Sequence, residues 1–366
     1  GTSALNAQNY TTATNAFNTA VGHDAGTSVT TGVQNVLIGG LAGDALTDAD
    51  YNTVVGTSAL AVDSLGSRSV AIGAFALEAQ AFTTATDTYN VAVGYDAGGN
   101  ITTGIFNTLI GGLAGDALTD SDRNVAVGYF ALSSDTLGTR SVAIGQAALT
   151  SQNFTTATST YNTAVGHGSG ENVTTGIQNT LIGGLAGDAL TTGSFNAVLG
   201  VAALGADDLG SHAVAVGYGA LESQNYATAT NGYNTAVGSN AGYAVTVGVE
   251  NTLIGGQAGD ALTDSDYNVA VGKSALSADT LGSGSTAIGY AALNSQNFTT
   301  ATDSFNTAVG QYAGAAVTTG IKNTIVGALA GDALTDADFN TVVGMDALTS
   351  DTLGSRSTAI GVGALN

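Results

Sequence analysis

The chain has 366 residues, of which 53 are glycine and 44% are apolar, and it contains no proline, cysteine or tryptophan. That composition excludes collagen, disulfides and thiolate metal sites, and the positive mean hydropathy with many β-branched residues excludes a disordered chain. Six Lys and Arg against 28 Asp and Glu give a net charge of −22, which repels nucleic acid and anionic lipid, and no apolar stretch is long enough to insert into a membrane.

The first element in chain order is Asn18-Thr19-Ala20-Val21-Gly22. Variants of it open at Asn35, Asn52 and Ser69, in steps of 17, and after a longer step of 21 the original returns at Asn90. The resulting 72-residue period starts again at Asn162, Asn234 and Asn306. Residues 1–366 therefore read as one continuous array of five 72-residue repeats that opens and closes in mid-repeat, as a fragment of a longer fibre would. Among the twenty copies the first residue is Asn in fifteen, Ser in four and Ala213 once. The fifth is always glycine, and the residue three further on is Ala in nineteen, with Ser169 the exception. Such uniformity marks a packing constraint rather than a reaction centre, which would have to break the repeat somewhere.

Each pentapeptide predicts a short strand closed by a corner at its glycine. Alternation sends Thr163 and Val165 to one side and Ala164 to the other, and the equivalent strand Thr108–Ile110 carries Leu109 there. Both sides are apolar, so one should face the interior of its own coil and the other a partner chain. A second short segment follows, anchored by Val29, Leu46, Leu65 or Phe82 in successive coils and ended by turn residues. Helices are excluded because glycine interrupts every helical spacing. The expected fold class is all-β, a parallel β-solenoid with about four coils per 72-residue repeat. Coils stacked about 4.8 Å apart would raise each repeat by about 19 Å and make an elongated rod of about 100 Å.

Polar positions follow the same period. Asn18, Asn35, Asn52, Asn90, Asn107 and Asn124 are expected to form a ladder of stacked amides. The phrase GDALTDAD places Asp44, Asp48 and Asp50 together, repeated as Asp116, Asp120, Asp122, as Asp260, Asp264, Asp266 and as Asp332, Asp336, Asp338. Three hard oxygen donors in one loop suit calcium, whereas the competing reading is an aspartate-rich turn. The third repeat keeps Asp188 but has Thr192 and Ser194, which favours the turn. No other cofactor is indicated. Asp63 with Arg68, and Asp135 with Arg140, are placed to pair across a turn. The 21-residue coil carries QNFTTAT-like segments with Tyr10, Phe82, Phe154, Tyr226 or Phe298, and a second aromatic precedes the next strand at Phe17, Tyr89, Tyr161, Tyr233 or Phe305. The first set reads either as a surface ridge for sugar or lateral contacts or as a lid folded over the coil. His23, His167 and His212 do not recur in register, so no enzyme is expected. An ice-binding face would need Thr-x-Thr on every coil, and only one coil in four offers it.

The runs Arg68-Ser69-Val70-Ala71-Ile72-Gly73 and Arg140-Ser141-Val142-Ala143-Ile144-Gly145 resemble the head repeat of trimeric autotransporter adhesins, the YadA-like head. They are similar also to NTAVGxxAL repeats of phage and viral tail fibres. The resemblance implies coils of the left-handed β-roll type and a homotrimer around an axis, with Val70 and Ile72 facing each chain's interior and Ala71 facing the axis. It implies an extracellular structural fibre at the cell surface or on a virion, an adhesin or appendage shaft in the first reading and a tail fibre in the second. Its partners would be other copies of itself and a host surface or glycan.

Overall fold

One three-residue strand per coil carries the architecture. In a computed structural model describing residues 1–366, the chain forms two units, residues 1–178 and 179–366. The first unit stacks nine such strands, from Thr19–Val21, Val36–Ile38, Thr53–Val55 and Val70–Ile72 through to Thr163–Val165. Each pairs in parallel with the next and without offset, as in Thr19↔Val36, Ala20↔Leu37 and Val21↔Ile38. The second unit stacks eleven, from Thr180–Ile182 to Thr358–Ile360, by the same rule. Each unit is thus an all-β parallel solenoid with no helix.

The second strand expected in every coil is absent from most of them. It forms only where the third coil of a repeat meets the longer fourth coil, as in Gly66–Ser67 with Thr86–Asp87 and Gly138–Thr139 with Thr158–Ser159. Elsewhere the segment consists of turns and bends.

Strand orientation is the reverse of what the resemblance implied. Ala71 is fully buried inside its coil, whereas the Ile72 side chain points outward and is 37% exposed. Leu37, Val54, Ala92 and Leu109 take the same inward position. Space decides this. Each coil is so narrow that a methyl added to Gly98 would lie 2.6 Å from Leu109 Cδ1, and one on Gly115 would lie 2.8 Å from Leu109 Cδ2. One leucine therefore fills the room over two glycines, and Ala71 and Ala126 allow Leu77 and Leu132 into the interior instead. A row of Val and Ile on the inner side of every strand would overfill it. Val29 and Leu46 are buried as expected and Phe82 is nearly so, but Leu65 is only half-buried.

The corner glycines set the stacking. Gly128 has φ 138°, and a Cβ there would sit 2.4 Å from the carbonyl oxygen of Gly145 in the next coil. Gly128→Ala is expected to cost at least about 1–3 kcal/mol for the conformation alone, plus the clash. A lowered thermal midpoint checks this, and an unchanged one would refute the account of the corner.

Candidate functional site

The asparagine ladder exists: backbone N–H groups donate to the amide oxygen of the coil before, and at some rungs, such as Asn107 Nδ2 to Asn90 Oδ1 at 3.4 Å, amide also meets amide. The Asn107 N–H donates to Asn90 Oδ1 at 2.9 Å, and the Asn124 N–H donates to Asn107 Oδ1 at 2.9 Å. The Nδ2 groups of Asn107 and Asn124 donate to the carbonyls of Ser121 and Gly138. Asn18, Asn35 and Asn52 repeat the scheme one 72-residue unit earlier. Each run ends at the serine of the fourth coil, with the Ser69 and Ser141 N–H groups as last donors. Apart from the half-buried Asn18, these amides are fully enclosed and serve the stack.

The aspartate triads do not assemble. No group of three or more His, Cys, Asp or Glu side chains comes together anywhere in the chain. Asp48 and Asp120 instead accept the hydroxyls of Thr31 and Thr103 in the coil before, at 2.5 and 2.7 Å. Asp50, Asp122, Asp266 and Asp338 each accept a backbone N–H from that same preceding coil at 2.7–2.8 Å. Asp336 repeats the role of Asp48. These carboxylates act as cross-coil hydrogen-bond acceptors. The first aspartate of each triad behaves differently. Burial pushes the Asp116 carboxyl up to about 6, and the facing Asp96 adds to the rise. Burial raises Asp44, Asp260 and Asp332 in the same direction.

Asp63 and Arg68 do not pair. Arg68 reaches Asp87, and Asp63 lies fully buried against Gln80. Asp135 is likewise held by Gln152, and Arg140 reaches Ser159.

The aromatics split into two sets with opposite fates. Phe82, Phe154, Tyr226 and Phe298 are buried at 3–7% exposure, and the half-buried Tyr10 donates its hydroxyl to the Gly32 carbonyl at 2.6 Å. They are lids on the long coil and form no surface ridge. Phe17, Tyr89, Tyr161, Tyr233 and Phe305 are the exposed ones. Each occupies the position just ahead of its strand-opening Asn, where every non-glycine residue of the twenty coils has φ between 48° and 64°. That position holds ten aromatic residues and five of the six Lys and Arg, a concentration the sequence analysis missed because it compared coils only from the Asn onward. Along it the groups stack on one another. Arg68 lies 5.0 Å from the Tyr51 ring and 5.8 Å from the Tyr89 ring, Tyr89 stacks on Phe106 at 5.7 Å, and Arg123 covers Phe106 at 5.4 Å. In the second unit His212 lies between Phe195 and Tyr233. Several ring faces along this column are thus covered by neighbours.

The remaining surface feature is the outer side of the strands. Its two outward positions carry Thr, Val, Ala, Ile or Leu in all twenty coils and never a charge. Ile38, Ile110 and Ile144 in one unit, and Ile254 and Ile288 in the other, stay 38–40% exposed.

A scan of protein-family models finds none that matches this chain, and a search of curated proteins finds no match either.

Two outcomes follow. Asn107→Ala strands the Asn124 N–H and the Ser121 carbonyl, at about 1–3 kcal/mol for each buried group, which chemical denaturation should register. For Asp116 the folded carboxyl holds its proton more tightly than an unfolded one near 3.9. Its stabilising contribution is therefore complete below about pH 4 and is lost as pH rises through about 6. The thermal midpoint should climb on acidification from pH 7 to 5, and Asp116→Asn should flatten that climb.

Proposed function

We propose that this chain is a segment of an extracellular structural fibre, assembled from several copies through the outer side of its strands and without catalytic activity. The carrying observation is the uncharged Val, Ile and Thr surface that persists through every coil of a chain with net charge −22. Monomeric proteins rarely expose a long contiguous apolar stripe, and a stripe of this kind marks an interaction surface. A second copy offers the same stripe at the same spacing of about 4.8 Å, so contacts repeat coil after coil. The resemblance to YadA-like head repeats and to tail-fibre repeats supports three chains of the left-handed β-roll type around a common axis. It supports a role in reach and adhesion at a cell surface, with a virion tail fibre as the second reading. Ice binding draws less support, because the outward position nearest the corner is never threonine.

Light scattering tests the assembly. The wild-type chain should give three times its 35.7 kDa mass at micromolar concentration. Ile110→Lys with Ile144→Lys should give the single-chain mass with an unchanged β-type circular dichroism spectrum. A wild-type chain that stays monomeric would remove the basis of the reading.

A further inference from the structure

Aligned on the corner glycine, the coils share an inward-pointing position seven residues further on. In the first repeat it holds Val29, Leu46, Asp63 and Gln80 in turn, and the second to fourth repeats keep the order of two aliphatic residues, then Asp, then Gln. These side chains are fully buried and stack over one another. The core of each of these four repeats thus contains one carboxylate and one amide where its other coils have Val, Leu or Ile.

The polar pair is closely matched. Gln152 Nε2 donates to Asp135 Oδ2 at 2.6 Å, and Asp135 Oδ1 accepts the N–H groups of Gly138 at 3.0 Å and Phe154 at 3.1 Å. Gln152 Oε1 accepts from Asn162 Nδ2 at 2.8 Å, which ties the pair to the asparagine ladder. Asp63–Gln80, Asp207–Gln224 and Asp279–Gln296 repeat the contact at 2.5–2.6 Å. No Lys, Arg or His lies against these carboxylates; amide and peptide N–H donors alone satisfy them. Gly138 has to be glycine, since a Cβ there would lie 2.1 Å from the Asp135 carboxylate.

Everything else in the stack is nearly the same from coil to coil. Corner glycines, ladder amides and buried alanines would accept a neighbour one coil out of place almost as well as the right one. The aspartate would not. Against Val or Leu it would be a buried charge stripped of its amide donor. The glutamine of the long coil would lose its carboxylate acceptor and keep at most the serine hydroxyl of its own coil, as Gln152 keeps Ser141 Oγ. We propose that the buried Asp–Gln pair is a register lock that makes each 21-residue coil dock only on the third coil of its repeat. Its stabilising value is secondary; a polar pair in an apolar core is retained because it excludes alternatives, as a single buried polar residue fixes register in a coiled coil.

The absence of cysteine allows a direct reporter. Thr139 and Ser159 are Cα partners across the third and fourth coils, at the stacking distance of about 4.8 Å that suits a disulfide. Thr139→Cys with Ser159→Cys, unfolded and refolded in oxidising buffer, should cross-link almost completely in the otherwise wild-type chain. Replacing all four Asp–Gln pairs by leucine should leave the β spectrum and heat resistance intact but lower the cross-link yield at least two-fold. Full yield from the folded all-leucine chain would overturn the proposal. Should that chain fail to fold, Asp135→Asn decides, because its amide nitrogen faces a donor whichever way it turns: Gln152 Nε2 in one orientation, the Gly138 and Phe154 N–H groups in the other. It should lower the yield, and adding Gln152→Glu should restore it by exchanging carboxylate and amide between coils. Equal yields from the wild-type, single and double variants would equally overturn it.

Discussion

Glycine carbonyl oxygens lie where the corners of adjacent coils would otherwise place a Cβ, and the rest of the structure depends on that approach. From Gly94 to Gly145 in the first unit each corner leaves 2.2–2.5 Å between such a Cβ and the next carbonyl oxygen. Only a chain that surrenders its side chain at the corner can bring parallel strands into register there with backbone bonds along the stack. Once the corners are superposed, the same position of every coil lies over its counterpart, and side-chain chemistry becomes a question of what stacks on what.

That question has different answers for different groups. An amide carries both donors and an acceptor, so Asn90, Asn107 and Asn124 can follow one another, each satisfying the backbone of the next. Planar rings and guanidinium groups also stack, as from Tyr51 through Arg68, Tyr89 and Phe106 to Arg123. A carboxylate only accepts and repels its like, so it cannot recur at one position in consecutive coils of a core. Asp135 is therefore followed by a donor, Gln152, and then by aliphatic residues. The same rule governs the partly buried surface. Burial chiefly, with the charge of Asp96 adding to it, raises the Asp116 carboxyl to about 6.

Period, parallel stacking and corner were legible in the sequence because they rest on identity between copies: the glycine never varies, and the Asn seldom does. The inward direction was not legible by the same means. Alternation shows that Val70 and Ile72 oppose Ala71, but both sides are apolar, so polarity cannot say which is inside. Volume can. Leu109 occurs where glycines lie at 98 and 115, and Ala126 where a leucine lies at 132, and residues that compensate one another in size must share an interior. The buried aspartates escaped notice because Asp-x-Leu-Gly looks like a turn. Counted from the corner glycine, Asp63 falls where Val29 and Leu46 fall, and that coincidence was the available signal. The aromatics of the long coil left two readings open, ridge or lid, for a related reason. A large ring beside threonines reads as exposed, whereas the four residues added by the long coil let Phe154 fold back beside Asp135, whose carboxylate accepts the Phe154 N–H.

The outer side of the strands completes the same logic. A net charge of −22 would keep copies apart if it were spread evenly, but the two outward strand positions contribute none of it in any coil. Beyond the Debye length of about 8 Å at physiological salt, the aspartates in the turns are largely screened. Apolar burial over the strands has no such cutoff and grows with every coil added. In the proposed assembly, association would strengthen with each coil added, while the charge of the acidic turns stays off the contact. Under that proposal the packing rule for single coils would extend to the contact between chains.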